Sequence, residues 1–185
     1  MSASTLEREI KLRFQSPAEA REAVLGIGAT PVRGRRLQED CLLDTADEQV
    51  RAARSVLRVR MDQGRSLLTY KGPVQPSPWK LREEHETIVS DGETILDILG
   101  RLGFSVWFRY QKYREEFGAL DAVIALDETP IGTFVEVEGS EKAITEIAAA
   151  LGRTERDYIV DSYRSLYVQH CERAGRAVGD MVFAE

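Results

Sequence analysis

The stretch TLEREIKLRF, residues 5–14, decides how the fold is read. Ile10, Leu12 and Phe14 alternate with Glu7, Glu9, Lys11 and Arg13, and Leu6 begins the apolar series. Side chains of a strand point alternately to its two faces, so this period of two predicts a strand. One face is apolar; the other carries two carboxylates and two cations in a single row.

The row recurs along the chain. SVLRVRMD (55–62) sets Arg58 and Arg60 between Leu57, Val59 and Met61, and SLLTYKG (66–72) puts Lys71 on the face of Leu67 and Thr69. KLREEHETIV (80–89) aligns Lys80, Arg82, Glu84 and Glu86; FRYQKYREEF (108–117) aligns Lys112 and Arg114. AVIALDET (122–129) carries Asp127 at the end of an apolar run, and TFVEVEG (133–139) carries Glu136 and Glu138. A weaker strand is expected near 37–43. DQGRS is a hairpin turn and GPVQPSP a loop. Helices are expected at 16–29, 91–104, 139–152 and 161–175, each opened by Ser or Asp or by a Gly-Ser pair, with a short one near 46–53.

A sheet with one wet face explains any single row. The set is better explained by strands that close into a barrel with the charged faces inward and the apolar faces outward beneath the helices. The fold class is then α+β, with the core between barrel wall and helices. Unpaired charges are too costly to bury dry, so the interior is a wet tunnel or holds ions and a charged ligand. Arginine forks suit phosphate oxygens, and clustered carboxylates suit Mg²⁺ or Mn²⁺. Together they describe a polyphosphate–metal site.

The totals agree. The 185 residues suit one domain, taken as 1–175, with 176–185 as a loose tail, and 43% hydrophobic content supports a core. A net charge of −6 argues against a general nucleic-acid or anionic-membrane binder. Cys41 and Cys171 have no metal-ligand spacing, which fits a reducing cytoplasm. The start, MSASTLEREI, has no apolar leader region, and no run approaches the ~20 apolar residues of a membrane span.

EREIK (7–11) resembles the Glu-x-Glu-x-Lys signature of the CYTH superfamily, the triphosphate tunnel metalloenzymes. LRVR, LTYKGP, REEHE, KYR, ALDE, GTFVEVE and SYRSLY follow in that family's order and approximate spacing, over residues 6–170. The resemblance implies an eight-stranded antiparallel closed barrel whose tunnel holds a triphosphate-containing small molecule and a divalent metal, Mg²⁺ or Mn²⁺. It implies Glu7, Glu9, Glu136 and Glu138 as metal ligands, helped by Asp127 and Glu84. Lys11, Arg58, Arg60, Lys71, Lys112 and Arg114 become the triphosphate clamp, and Arg82 a partner of phosphate or of Glu84. SYRSLY becomes a helix at one tunnel mouth, with Tyr163 as ligand contact or core anchor. A homodimer through an outer barrel face is also implied. CLLDT (41–45) departs from the family, which has aromatic residues there, and points to a repacked wall. Lys80 and Arg13 match no motif position and are expected at the surface.

Three functions fit such a tunnel. A metal-dependent triphosphatase would let water attack inorganic or thiamine triphosphate. A class IV adenylyl cyclase would convert ATP to cyclic AMP and pyrophosphate, and would need an adenine site, for which Tyr70, Tyr110, Tyr113 and Trp79 are candidates. A non-catalytic polyphosphate- or nucleotide-binding module is the third. His85 should point outward and His170 lies on a helix, so no His-based nucleophile is indicated.

Overall fold

The computed structural model describes residues 5–184; residues 1–4, on which the expectation about a leader partly rests, lie outside them. The elements run β1 (Thr5–Phe14), α1 (Pro17–Gly26), β2 (Thr30–Thr45), α2 (Gln49–Ala52), β3 (Val56–Asp62), β4 (Arg65–Lys71), β5 (Lys80–Val89), α3 (Gly92–Arg101), β6 (Phe104–Ala119), β7 (Ala122–Thr129), β8 (Gly132–Glu138), α4 (Glu141–Ala150) and α5 (Tyr163–Arg173). The helices begin where the caps predict. Ser16, Asp91, Ser140 and Ser162 each accept a backbone N–H three residues on.

The strands form one closed antiparallel barrel in the order β1-β5-β4-β3-β2-β6-β7-β8. β8 returns to β1 through pairs running from Glu9–Glu138 to Phe14–Thr133, so the sheet has no open edge. The β3–β4 hairpin turns at Gln63 and Gly64, both at positive φ, as a two-residue turn requires.

The apolar core lies outside the barrel wall, as the charged rows require. α1 and α4 cover Ile10, Leu12, Phe117, Ile124, Val135 and Val137, while α3 sets Leu99 against Leu43 and Val59. A third cluster closes one barrel end, where Tyr163 and Leu166 of α5 meet Leu42, Phe108, Tyr110 and Phe134. Leu42 thus packs in this third cluster and Leu43 in the one beneath α3.

Two expectations need correction. β2 runs from Thr30 to Thr45, far beyond the expected 37–43; its polar first half pairs with β6 through two register shifts. The C-terminal segment is not loose. Met181 is fully buried in the third cluster; its N–H donates to Arg109 O (3.0 Å) and its carbonyl accepts from Gln111 N–H (2.9 Å).

Candidate functional site

A cavity of about 900 Å³ fills the barrel and is lined from all eight strands. Glu7, Glu9, Lys11, Arg58, Arg60, Lys71, Arg82, Glu84, Lys112, Arg114, Glu136 and Glu138 all line it. The acids stand on the neighbouring strands β8, β1 and β5. The arginines of β3 and β6 stand on either side of β2. Strand alternation brings them together: one face of each strand supplies the tunnel and the other the core.

The carboxylates are held by cations. Lys71 Nζ donates to both oxygens of Glu7 (2.5 and 2.6 Å) and lies 3.1 Å from Glu84. Glu9 Oε1 accepts from Lys11 (2.8 Å) and from Lys80 (2.5 Å). Lys11 also lies 3.3 Å from Glu136, which accepts from Arg114. Lys80 is therefore a tunnel residue, buried and lining the cavity, against the expectation of exposure. Barrel closure pairs it directly with Glu9 across β1 and β5. Arg13 is exposed, as expected, and packs on the Phe134 ring.

Two buried aspartates organise the arginines. Asp127 lies behind the lining, fully buried; it accepts from Lys112 (2.8 Å), from both ends of the Arg114 fork (2.7 and 2.6 Å) and from the Tyr163 hydroxyl (2.7 Å). Asp40, equally buried, accepts bidentately from Arg60 (2.8 and 3.3 Å) and lies 3.4 Å from Arg58. Asp40 lies within the expected strand at 37–43 but is not singled out by the sequence, because a lone acid between Gln38 and Leu42 forms no charged row. Arg82 donates to the carbonyl of Gly72 instead of pairing with Glu84. Beyond this centre, Asp62 accepts from Arg33, Arg36 and Gln38, a second network the sequence did not signal.

The electrostatics separate the groups. Burial raises Glu9, but Lys11 and Lys80 more than offset it and hold the carboxyl far below its usual range. Burial and then the charge of Arg114 lower the Lys112 ammonium to about 8. Enclosure by the barrel and then Glu7 and Glu9 push Glu138 up to about 7, although its side chain stays open to solvent.

Among the described residues, no three His, Cys, Asp or Glu side chains are grouped so as to hold a metal ion. Lysine and arginine donors occupy the oxygens of Glu7, Glu9 and Glu136. In chemistry the set still fits a hard divalent cation, since Glu7, Glu9, Glu84, Glu136 and Glu138 offer only carboxylate oxygens and line one cavity.

Of the aromatic candidates, Tyr110 lines the cavity, Trp79 packs into the outer core, Tyr113 carries Arg35 on its ring, and Tyr70 is half-exposed on Ser55. Trp107, not singled out in the sequence, does line it.

The comparisons agree with this architecture. A family profile described as the CYTH domain matches residues 5–163. A protein of Methanocaldococcus jannaschii, provisionally named an adenylate cyclase, is 30% identical over 142 residues, 76% of this chain and 81% of that protein. A provisionally named adenylate cyclase of Vibrio parahaemolyticus superposes with a TM-score of 0.75 at 21% identity, covering 89% of this chain and 98% of the other. A Hippeastrum protein, provisionally an adenylyl cyclase and described as showing a dominant triphosphatase activity, gives 0.65 at 18% identity, covering 93% and 97%. The structural likenesses carry the fold; the profile covers most of the chain. Proteins of this family are triphosphatases or adenylyl cyclase-like enzymes that bind triphosphates and generally use divalent metal ions. The chain belongs to the CYTH domain family.

Proposed function

We propose that this protein is a metal-dependent phosphohydrolase that holds the triphosphate group of a small molecule in the barrel tunnel, with inorganic and thiamine triphosphate as first candidates. One observation carries the reading: Lys11, Arg58, Arg60, Lys71, Lys112 and Arg114 face the same 900 Å³ cavity as Glu7, Glu9, Glu136 and Glu138. Phosphoryl transfer needs positioning and charge neutralisation more than covalent chemistry, and this set offers both.

Asp40 holds Arg60, with Arg58 beside it, and Asp127 holds Lys112 and Arg114, so the clamp is oriented before a ligand arrives. Side chains fixed in this way lose little freedom on binding. Glu7, Glu9, Glu136 and Glu138, with Glu84 beside them, would hold a divalent cation of the Mg²⁺ or Mn²⁺ type. When bound, such an ion neutralises phosphate charge and acidifies water. Lys11, Lys71 and Lys80, which ion-pair with these carboxylates, present donors that phosphate oxygens can share. We assign Asp127 to orienting the clamp, since its oxygens already accept four donor contacts. The two free, buried cysteines agree with a cytoplasmic setting.

Cyclisation of ATP is the second reading, supported by the name of the Methanocaldococcus relative. Hydrolysis is preferred because water needs no second organic site and because the Hippeastrum relative, despite its name, is described as mainly a triphosphatase. The test is product chromatography with Mg²⁺ or Mn²⁺ on inorganic triphosphate, thiamine triphosphate and ATP in parallel. Orthophosphate release supports hydrolysis. Cyclic AMP with pyrophosphate moves the assignment to the cyclase. Tight binding without turnover leaves a binding module.

A further inference from the structure

A second cavity lies against the C-terminal half of α5. Arg13 follows Glu7, Glu9 and Lys11 on one face of β1, but α5 closes the barrel at that end. Arg13 therefore lines a separate space of about 360 Å³, with Ile131, Leu166, His170, Arg173 and Ala174. None of these residues lines the tunnel. The rings of Phe134 and Tyr163, 5.5 Å apart, stand between the two: Arg13 lies 4.6 Å from the first centroid and Lys11 5.2 Å from the second. Gly132 makes room for the guanidinium, since a Cβ there would meet Arg13 Nη1 at 3.1 Å.

The lining carries three basic side chains and no carboxylate. Inside the barrel, acids hold the arginines: Asp62 holds Arg33 and Arg36, Asp40 holds Arg60 and Asp127 holds Arg114. Arg13 and Arg173 differ. Among the described residues neither meets a carboxylate; Arg13 Nη1 donates to the Ile131 carbonyl (3.4 Å) and Arg173 Nε to that of Gln169 (3.1 Å). Their other N–H groups are open to an incoming acceptor. His170 and Arg173, in the last turn of α5, suit the helix dipole without any ligand. Arg13 comes from β1 and has no such role. Like charges around one cavity repel unless an anion sits between them.

We propose that this cavity is an oxyanion site, separate from the tunnel, for a phosphate dianion: orthophosphate or the terminal group of a small phosphate monoester. Two guanidinium forks can each take a pair of phosphate oxygens, and the imidazole adds a third donor. Leu166 and Ile131, both buried, form an apolar floor that strengthens these contacts. The volume exceeds that of a bare phosphate and leaves space for a short organic tail. A bound anion bridges β1 to the last turns of α5, the helix whose first residue, Tyr163, supports the clamp through Asp127.

The chain has two histidines, so imidazole NMR reads the site directly. His170 lines the cavity, while His85 lies on β5 beside Glu83 and serves as internal control; His85→Gln assigns the signals. Orthophosphate, glycerol phosphate, acetate and chloride are titrated at fixed pH and ionic strength. The expected result is a saturable shift of the His170 signals with orthophosphate, and with glycerol phosphate if the tail is accommodated, while His85 stays still. Arg13→Gln and, separately, Arg173→Gln, both at exposed positions, should each weaken it at least ~10-fold, the effect of one lost charge-assisted contact. A shift that chloride reproduces is general screening and overturns the site. Acetate binding as tightly as phosphate overturns the phosphate assignment, and a midpoint unmoved by Arg13→Gln shows that the helix end acts alone. The tunnel is tested as the source with Arg60→Ala/Asp40→Asn, which alters the clamp: the His170 midpoint should stay, and a midpoint that follows the clamp overturns the proposal.

Discussion

The Tyr163 hydroxyl donates a 2.7 Å hydrogen bond to Asp127 Oδ2, so the first residue of α5 grips the carboxylate that holds Lys112 and Arg114. A helix outside the barrel is thereby coupled to the phosphate clamp inside it. Lys11 and Lys112 also lie 5.2 and 5.0 Å from the centre of the Tyr163 ring. The tyrosine is both core anchor and part of the site's support.

Tyr163→Phe removes only the hydroxyl and keeps the ring packing. A hydrogen bond to a charged acceptor contributes about 1.5–3 kcal/mol, so urea unfolding should show a loss of about 2 kcal/mol with an unchanged slope. Triphosphate affinity should fall as well, because Asp127 loses one of the contacts that fix its orientation. Wild-type stability in this variant would mean that water replaces the hydroxyl at no cost.

Glu9 is the acceptor for two buried ammonium groups, so its removal is not neutral. Glu9→Ala should destabilise the fold by about 3 kcal/mol, since breaking a buried pair leaves uncompensated charge. Glu9→Gln keeps an acceptor and separates stability from ligation. In calorimetric titration with Mn²⁺ it should bind the ion much more weakly, while triphosphate affinity in chelator is kept or improved by the freed lysines. Unaltered Mn²⁺ affinity would take Glu9 out of the ligand set.

The reading of the sequence reached the barrel because alternation is a local signal: β1, β3, β4, β5, β7 and β8 each show it within ten residues or fewer. It failed where structure depends on partners far away in sequence. The first half of β2, TPVRGRRL, alternates poorly because Pro31, Arg33 and Arg36 sit at register shifts against β6. Arg33 and Arg36, which donate to Asp62, were lost with it, while Asp40 lay in the expected strand but in no charged row. Lys80 follows a proline-rich loop and looks exposed, yet pairing with β1 buries it against Glu9. Trp107 could not be placed from periodicity, since the β2–β6 register shift beside it breaks the period.

Lys112 gives the site a pH dependence of known sign. Burial and Arg114 lower its ammonium to about 8 from an ordinary 10.5. The folded, ligand-free protein therefore loses this proton as pH rises through 8, whereas the unfolded chain keeps it to about 10.5. Between those values the unfolded state binds more protons, so this group makes stability rise with pH. Phosphate affinity moves the other way, because the clamp loses a charge; it should weaken by up to about tenfold per pH unit above 8, the limit for one proton. Binding titrations in chelator from pH 7 to 9.5 measure it. Lys112→Met should flatten both profiles, and a slope that survives in that variant would belong to another group.

Arg60 tests the clamp most directly. Its fork lies on Asp40 while its side chain lines the cavity. Arg60→Ala removes a charge-assisted donor, and the loss of about 2–3 kcal/mol expected for such contacts should weaken triphosphate binding by roughly 30- to 150-fold. It also strips Asp40, fully buried, of its bidentate partner and leaves Arg58 at 3.4 Å, so stability should fall too. The double variant Arg60→Ala/Asp40→Asn separates the two effects. It removes the orphaned charge and should regain much of the stability, while affinity stays low because the phosphate donor is still missing. If affinity returned with stability, Arg60 would be a structural partner of Asp40 and no part of the clamp.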